Sequence, residues 1–166
     1  MSEWFGTWFD SEYYHTLYKD RDYTEAEAFV QKLAEYLIPK ADDLILDLAC
    51  GKGRHSIHLN KMGYTLEGCD YSANSIKKAR ESENEKLHFY EHDMRDTLPK
   101  KYDYILNLFT SFGYFNTQKE HLSTLTHLYE GLKENGTLVI DYMNVDYVLP
   151  NLVSKETLMI DGIEFY

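Results

Sequence analysis

Residues 44–56 read Leu-Ile-Leu-Asp-Leu-Ala-Cys-Gly-Lys-Gly-Arg-His-Ser, an apolar run that breaks at two glycines and runs on into helix-compatible residues. A short run of this kind, apolar on both of its faces, suits a strand covered by helices on either side. Gly51 and Gly53 then mark where the main chain must bend tightly and where a ligand can approach it. Amides opening the next helix face that ligand, so the junction reads as a small-molecule cradle with Asp47 at its mouth. A strand-to-helix turn of purely structural meaning is the competing reading of these two glycines alone.

The same change of period recurs along the chain. Strands are expected at 44–48, 65–69, 87–91, 102–108 and 137–142, with helices at 54–62, 73–82 and 118–132 between them. Alternation of this kind means a parallel sheet with helices on both faces, whose ligands sit beyond the carboxyl ends of the strands where the winding reverses. Ahead of it, Thr24 and Glu27 read as a capping box that opens an amphipathic helix over 24–37, which Pro39 ends.

Two further strand ends carry acids. The second strand closes on Asp70, about twenty residues past the glycines, where a carboxylate can accept from both hydroxyls of a ribose. Tyr71 sets a ring beside it and Ser72 caps the next helix. The third strand closes on His92-Asp93-Met94, a carboxylate next to a backbone amide, the pairing that the amine and ring nitrogen of adenine require. Each acid has a plainer alternative: Asp70 opens the helix at Ser72, and Asp93 caps the segment after it. A dinucleotide site needs a third glycine, and Ser56 stands in its place.

Taken in order, Asp47-Leu-Ala-Cys-Gly-Lys-Gly-Arg, Asp70-Tyr-Ser, Asp93-Met and the run from Leu108 to Phe115 resemble the class I S-adenosylmethionine-dependent methyltransferases over residues 37–144. The resemblance implies an α/β, Rossmann-like, doubly wound and mainly parallel sheet of order 3-2-1-4-5, reversing between strands 1 and 4, where Asp47 and Asn107 fall. It implies that the glycine loop (Asp47, Ala49, Cys50, Gly51, Gly53, Arg54) holds the methionine part of S-adenosyl-L-methionine. Asp70, Tyr71 and Ser72 would hold the ribose, Asp93 and Met94 the adenine, with Asn107, Leu108 and Phe109 adding to the cofactor site. S-adenosyl-L-homocysteine is then the product. Tyr13, Tyr14 and Tyr18, within the ring-dense N-terminal stretch, fold over the cofactor as a lid, or only pack.

Methyl transfer needs alignment and exclusion of water more than a fixed catalytic signature. Rings attract a sulfonium, so Phe109, Phe112, Tyr114 and Phe115 are candidates to wall the cofactor and the acceptor, and Tyr114 is a candidate catalytic residue. Asp141, at the end of the fifth strand, is the acid to test as a base.

The remaining expectations are bounds. One domain is expected over residues 1–166: an aromatic segment and helix (1–40), a cofactor-binding core (41–144) and the start of a further element (145–166). A net charge of −11 repels phosphate backbones and anionic membranes, which disfavours a nucleic-acid or membrane partner, and the resemblance implies a small-molecule acceptor. Cys50 and Cys69 are read as reduced core thiols of a cytoplasmic chain, and no metal is expected, since His55 and His58 lie on one helix face without a third ligand. The tail predicts a helix over 145–153 and a hairpin about Asp161-Gly162, short of the family's last helix and two strands. That reads as a chain cut short, or as one that completes its sheet with another chain through an open edge. Competing functions are a cofactor-binding fragment or subunit without turnover, and an NAD-dependent oxidoreductase.

Overall fold

The computed structural model describes residues 4–18 and 23–166, with the backbone alone for His15 and residues 23–25. Strands β1 (Leu44–Leu48), β2 (Thr65–Asp70), β3 (Leu87–Glu91), β4 (Tyr102–Asn107) and β5 (Leu132–Ile140) form a single sheet in the order β3-β2-β1-β4-β5. All four pairings are parallel. Helices α1 (Trp4–Phe9), α2 (Glu12–Leu17) and α3 (Tyr23–Leu37) precede the sheet, and α4 (Arg54–Lys61), α5 (Ala73–Ala79) and α6 (Gln118–Glu130) link its strands. This is the expected doubly wound α/β architecture.

Strand alternation divides the core. Ile45, Leu66, Phe89 and Leu106 point to one face, against Val30 and Ala34 of α3, Leu59 of α4 and Ile76 of α5. Leu46, Leu48, Cys69, Tyr102 and Ile105 point to the other, under Leu128 of α6. Because β1 lies in the middle and is covered on both faces, it had to be apolar at successive positions. Two acids are buried within this sheet, Asp47 of β1 and Glu67 of β2; Glu67 accepts from Lys100 Nζ and from the Tyr102 hydroxyl, both at 2.7 Å, so its charge keeps partners.

Departures from the sequence reading have local causes. The helix expected from Thr24 is already helical at Tyr23, which puts Thr24 inside the first turn and not at its cap; the Thr24 side chain lies outside the described residues. The helix expected over 73–82 tightens into a 3-10 turn at Arg80–Ser82. Strand β5 starts at Leu132, five residues early. Leu132 pairs with Tyr102 while Thr137 pairs with Tyr104, so residues 133–136 bulge out around Asn135 at φ 61.

In the tail, helix α7 (Val145–Val148) runs only four residues before a 3-10 turn at Leu149–Asn151, where Pro150 has no N–H to continue it. Strands β6 (Leu158–Ile160) and β7 (Ile163–Phe165) then form the hairpin about Asp161-Gly162, both turn residues at positive φ, as a separate two-stranded sheet. Cys50 and Cys69 are both free and buried. Among the described residues no helix is long and apolar enough to cross a membrane.

Candidate functional site

Strained backbone marks the two loops that leave the centre of the sheet. After β1, Ala49, Gly51 and Gly53 all have positive φ (61°, 56° and 79°), and after β4 so do Phe109 and Thr110 (66° and 57°). Non-glycine residues in that region cost about 1–2 kcal/mol each and persist only where the surroundings hold them. In the first loop the Cys50 amide donates to the Cys69 carbonyl and the Gly53 amide to the Cys50 carbonyl, each at 2.9 Å. In the second, Asp141 is the clamp: its Oδ2 accepts from the Phe109 amide at 2.9 Å and its carbonyl from the Thr110 amide at 3.2 Å.

The two glycines have different reasons. A Cβ on Gly53 would stand 2.6 Å from the Phe89 ring, so this residue is small to let helix α4 sit on β3. A Cβ on Gly51 would meet nothing within 4 Å, and that open space belongs to the cleft. Asp47 lies behind this loop at 1% exposure, where Ser56 Oγ donates to its Oδ2 at 2.6 Å. Burial pushes its carboxyl up to about 6, and the hydrogen bonds from Ser56 limit the rise.

At the end of β2, the Asp70 carboxylate accepts from the Gly51 amide through Oδ2 and from the Ser72 amide through Oδ1, both at 2.8 Å. Burial raises its pKa, against those two bonds. Among the described residues these two donors occupy a group with about four acceptor sites, and Asp70 borders the cleft. Ser72 caps α5 as expected, accepting from the Ser75 amide at 3.0 Å.

Asp93 is more fully engaged. Arg95 grips it through Nη2 (2.6 Å), Nε and its own amide (both 3.0 Å), leaving about one acceptor site. Burial would raise this carboxyl, but the Arg95 bonds and charge carry it below the usual carboxylate range. The capping alternative for Asp93 therefore has a geometric basis of its own. Arg95 in turn lies over the Phe115 ring at 5.3 Å and reaches Glu120 of α6 at 3.5 Å, so the corner is braced.

Helices α1 and α2 close the cleft from above. Trp4 and Phe9 meet the Tyr114 ring edge-on at 5.7 and 5.2 Å, Phe5 meets Tyr71 at 6.1 Å, and Phe9 meets Tyr14 at 5.0 Å. Below them is a cavity of about 810 Å³, within the usual range for small-molecule sites.

Its walls collect most of the residues that the sequence singled out: Ala49, Cys50, Gly51, Arg54, Asp70, Tyr71, Ser72, Asp93, Met94, Leu108, Phe109, Tyr114, Asp141, Tyr14 and Tyr18. Others do not reach it: Phe112 packs against the His121 ring and Tyr13 is exposed. Asp47 and Gly53 lie beneath the glycine loop, and Asn107 is fully buried, its Nδ2 donating to the Leu48 carbonyl at 3.2 Å. Sequence reasoning missed His55, Ser75, His92 and Met143, which also line the cleft. Burial, then the Arg54 charge, push His55 down to about 4, so it is a neutral ring between Phe29 and Phe109. Only its place next to Arg54 in the opening turn of α4 signalled it. Arg54 itself lies 4.4 Å over the Phe109 ring and ties the two strained loops together.

Comparison with known proteins converges on one family. The methyltransferase-domain profile matches residues 39–164. The glycine/sarcosine N-methyltransferase of Aphanothece halophytica is 30% identical over 135 residues, 78% of this chain and 49% of that one. A dTDP-3-amino-3,4,6-trideoxy-alpha-D-glucopyranose N,N-dimethyltransferase of Streptomyces venezuelae is 29% identical over 124 residues, 74% and 52% of the two chains. Among solved structures, Streptomyces venezuelae DesVI matches with a TM-score of 0.64 at 26% identity, covering 88% of this chain and 62% of that one. An S-adenosylmethionine-dependent methyltransferase from Clostridium acetobutylicum shares the fold, with a TM-score of 0.68 at 22% identity over 88% and 60%. The chain spans about half the length of the curated relatives it matches. With the sheet order, the glycine loop and the acids at the strand ends in agreement, this chain belongs to the methyltransferase-domain family.

Proposed function

We propose that this chain is the cofactor-binding domain of an S-adenosyl-L-methionine-dependent methyltransferase that acts on the nitrogen of a small amine. One observation carries the reading: Asp70, with two of about four acceptor sites engaged among the described residues, borders the same cavity as the uncovered Gly51 and a wall of rings. A nucleoside bearing a charged amino-acid arm fits that donor set. Asp70 would hold the ribose hydroxyls, Met94 and the last acceptor site of Asp93 the adenine edge, and Arg54 the amino-acid arm.

When bound, the cofactor supplies a methyl group on a sulfonium. The chain's own part is to orient and to exclude water. Phe109, Tyr114 and the rings of α1 and α2 exclude solvent and offer π faces to a cation, worth about 0.5–2 kcal/mol each depending on desolvation. Asp141, which follows β5 and lines the cavity, would take a proton from an amine acceptor through Oδ1, while Oδ2 holds the Phe109 amide. The choice of nitrogen draws on the relatives, whose names specify glycine, sarcosine and amino sugars.

The proposal extends to the setting: one domain over 1–166, a cytoplasmic location consistent with two free buried cysteines, and association with a further strand along the open outer edge of β5. Incubation with methyl-labelled cofactor and a panel of amino acids and amino sugars tests the activity. Label in an amine product, with release of S-adenosyl-L-homocysteine, is expected. Because the chain spans half of its relatives, cofactor binding without turnover is the second reading, and binding with no label in any acceptor would favour it.

A further inference from the structure

Asp10 follows the last residue of α1 and reaches across to the start of α5. Its Oδ1 accepts from Ser72 Oγ at 2.8 Å and its Oδ2 from Asn74 Nδ2 at 2.6 Å, two bonds between residues more than sixty positions apart in sequence. Beside them Gly6 of α1 lies against the Tyr71 ring, close enough that an added Cβ would stand 3.1 Å from it. Ser72 is the junction: its hydroxyl donates to Asp10 and accepts from the Ser75 amide, and its own amide donates to Asp70. Asp70 then holds the Gly51 amide. A continuous line of hydrogen bonds thus runs from the aromatic helix above the cleft to the glycine loop beneath it.

We propose that Asp10 is a latch that holds α1 and α2 closed over the cleft and thereby sets how fast a bound nucleoside ligand leaves. This rests on the cofactor reading above. Asp10 is absent from the walls of the large cavity, so it acts through Ser72 and is a positioning residue. The geometry has a physical logic. The aromatic contacts of α1 are non-directional and tolerate sliding, whereas a carboxylate gripping two donors on one helix end fixes the closed position. Closure then needs the cap of α5 in place, and that cap also anchors the acid at the end of β2.

The test uses the full chain with and without S-adenosyl-L-homocysteine. In the ligand-free protein, Asp10→Ala should speed amide hydrogen exchange over residues 4–18 and leave that of β1 and β4 unchanged. With ligand, stopped-flow fluorescence of Trp4 and Trp8 should show faster dissociation by about fivefold or more, as the two exposed hydrogen bonds that Asp10 accepts are lost. Asn74→Ala should reproduce part of the effect and add little to Asp10→Ala, since both remove the same bond. Asp10→Asn should fall between, its amide oxygen still accepting one bond. Unchanged exchange over residues 4–18 together with an unchanged dissociation rate would overturn the latch. A ligand that does not bind the unaltered chain would overturn the cofactor reading instead, with the exchange result still deciding the latch.

Discussion

Asp47→Asn should uncouple the stability of this domain from pH near neutrality. Asp47 is 1% exposed and its carboxyl rises from 3.8 to about 6, chiefly through burial. A folded-state pKa above the unfolded one means that the folded chain takes up the proton first. The resulting stabilisation is complete below 3.8 and is lost as pH rises through about 6. Over the whole window it amounts to about 3 kcal/mol, at 1.36 kcal/mol for each tenfold change. About 1.4 kcal/mol of it is present at about pH 5 and almost none at about pH 7.5. Asparagine is nearly isosteric, its Oδ1 still accepts from Ser56 Oγ, and it carries no charge to desolvate. Urea unfolding of both proteins at these two pH values should therefore show the original chain gaining about 1.4 kcal/mol on the variant as pH falls. Parallel stabilities, constant to about 0.3 kcal/mol, would refute the reasoning, because Asp47 would then titrate like an exposed acid.

Other substitutions separate the roles drawn above. Gly53→Ala should cost about 1–3 kcal/mol through its positive φ and the Phe89 ring, read by thermal melting, with part of the loss recovered by Phe89→Leu. Gly51→Ala, with open space around its Cβ, should cost little beyond the strain of its φ and act instead on S-adenosyl-L-homocysteine affinity, measured by calorimetry. If Asp141 serves as a base, Asp141→Asn should abolish turnover although the Phe109 amide keeps its acceptor; if clamping is its whole task, Asp141→Asn should keep kcat and only Asp141→Ala should lose it. Asp70→Ala should weaken cofactor binding more than about tenfold, at ~1.5–3 kcal/mol for each charge-assisted bond.

The sheet was readable in the sequence because its signals are local. Apolar runs ending in Gly51, Asp70 and Asp93 announce strands whose ends face one edge, and the alternation with helices settles that they are parallel. Less readable was whether a residue faces the cleft or supports it. Asp47 and Gly53 sit within the same few residues as Gly51, and only the Phe89 ring and the Ser56 hydroxyl, brought in from elsewhere in the fold, assign them to the underside. Asn107 was equally hard to place: it is fully buried, and its Nδ2 donates to the Leu48 carbonyl across fifty-nine positions. Asp141 was legible as a residue at the right strand end, but its grip on the left-handed Phe109-Thr110 turn depends on a contact across thirty-two positions that no sequence pattern records. Met143 carried no local signal and His92 only its place before Asp93, while the aromatic crowding of residues 4–18 declared that these rings need cover without saying what they would cover.

Calorimetric titration of the chain with S-adenosyl-L-homocysteine, beside NAD, tests the central claim that this cleft is built for the methyl donor. Saturable one-to-one binding of S-adenosyl-L-homocysteine, lost in Asp70→Ala, with no heat from NAD, is the predicted result. Tight NAD binding with no response to S-adenosyl-L-homocysteine would contradict it.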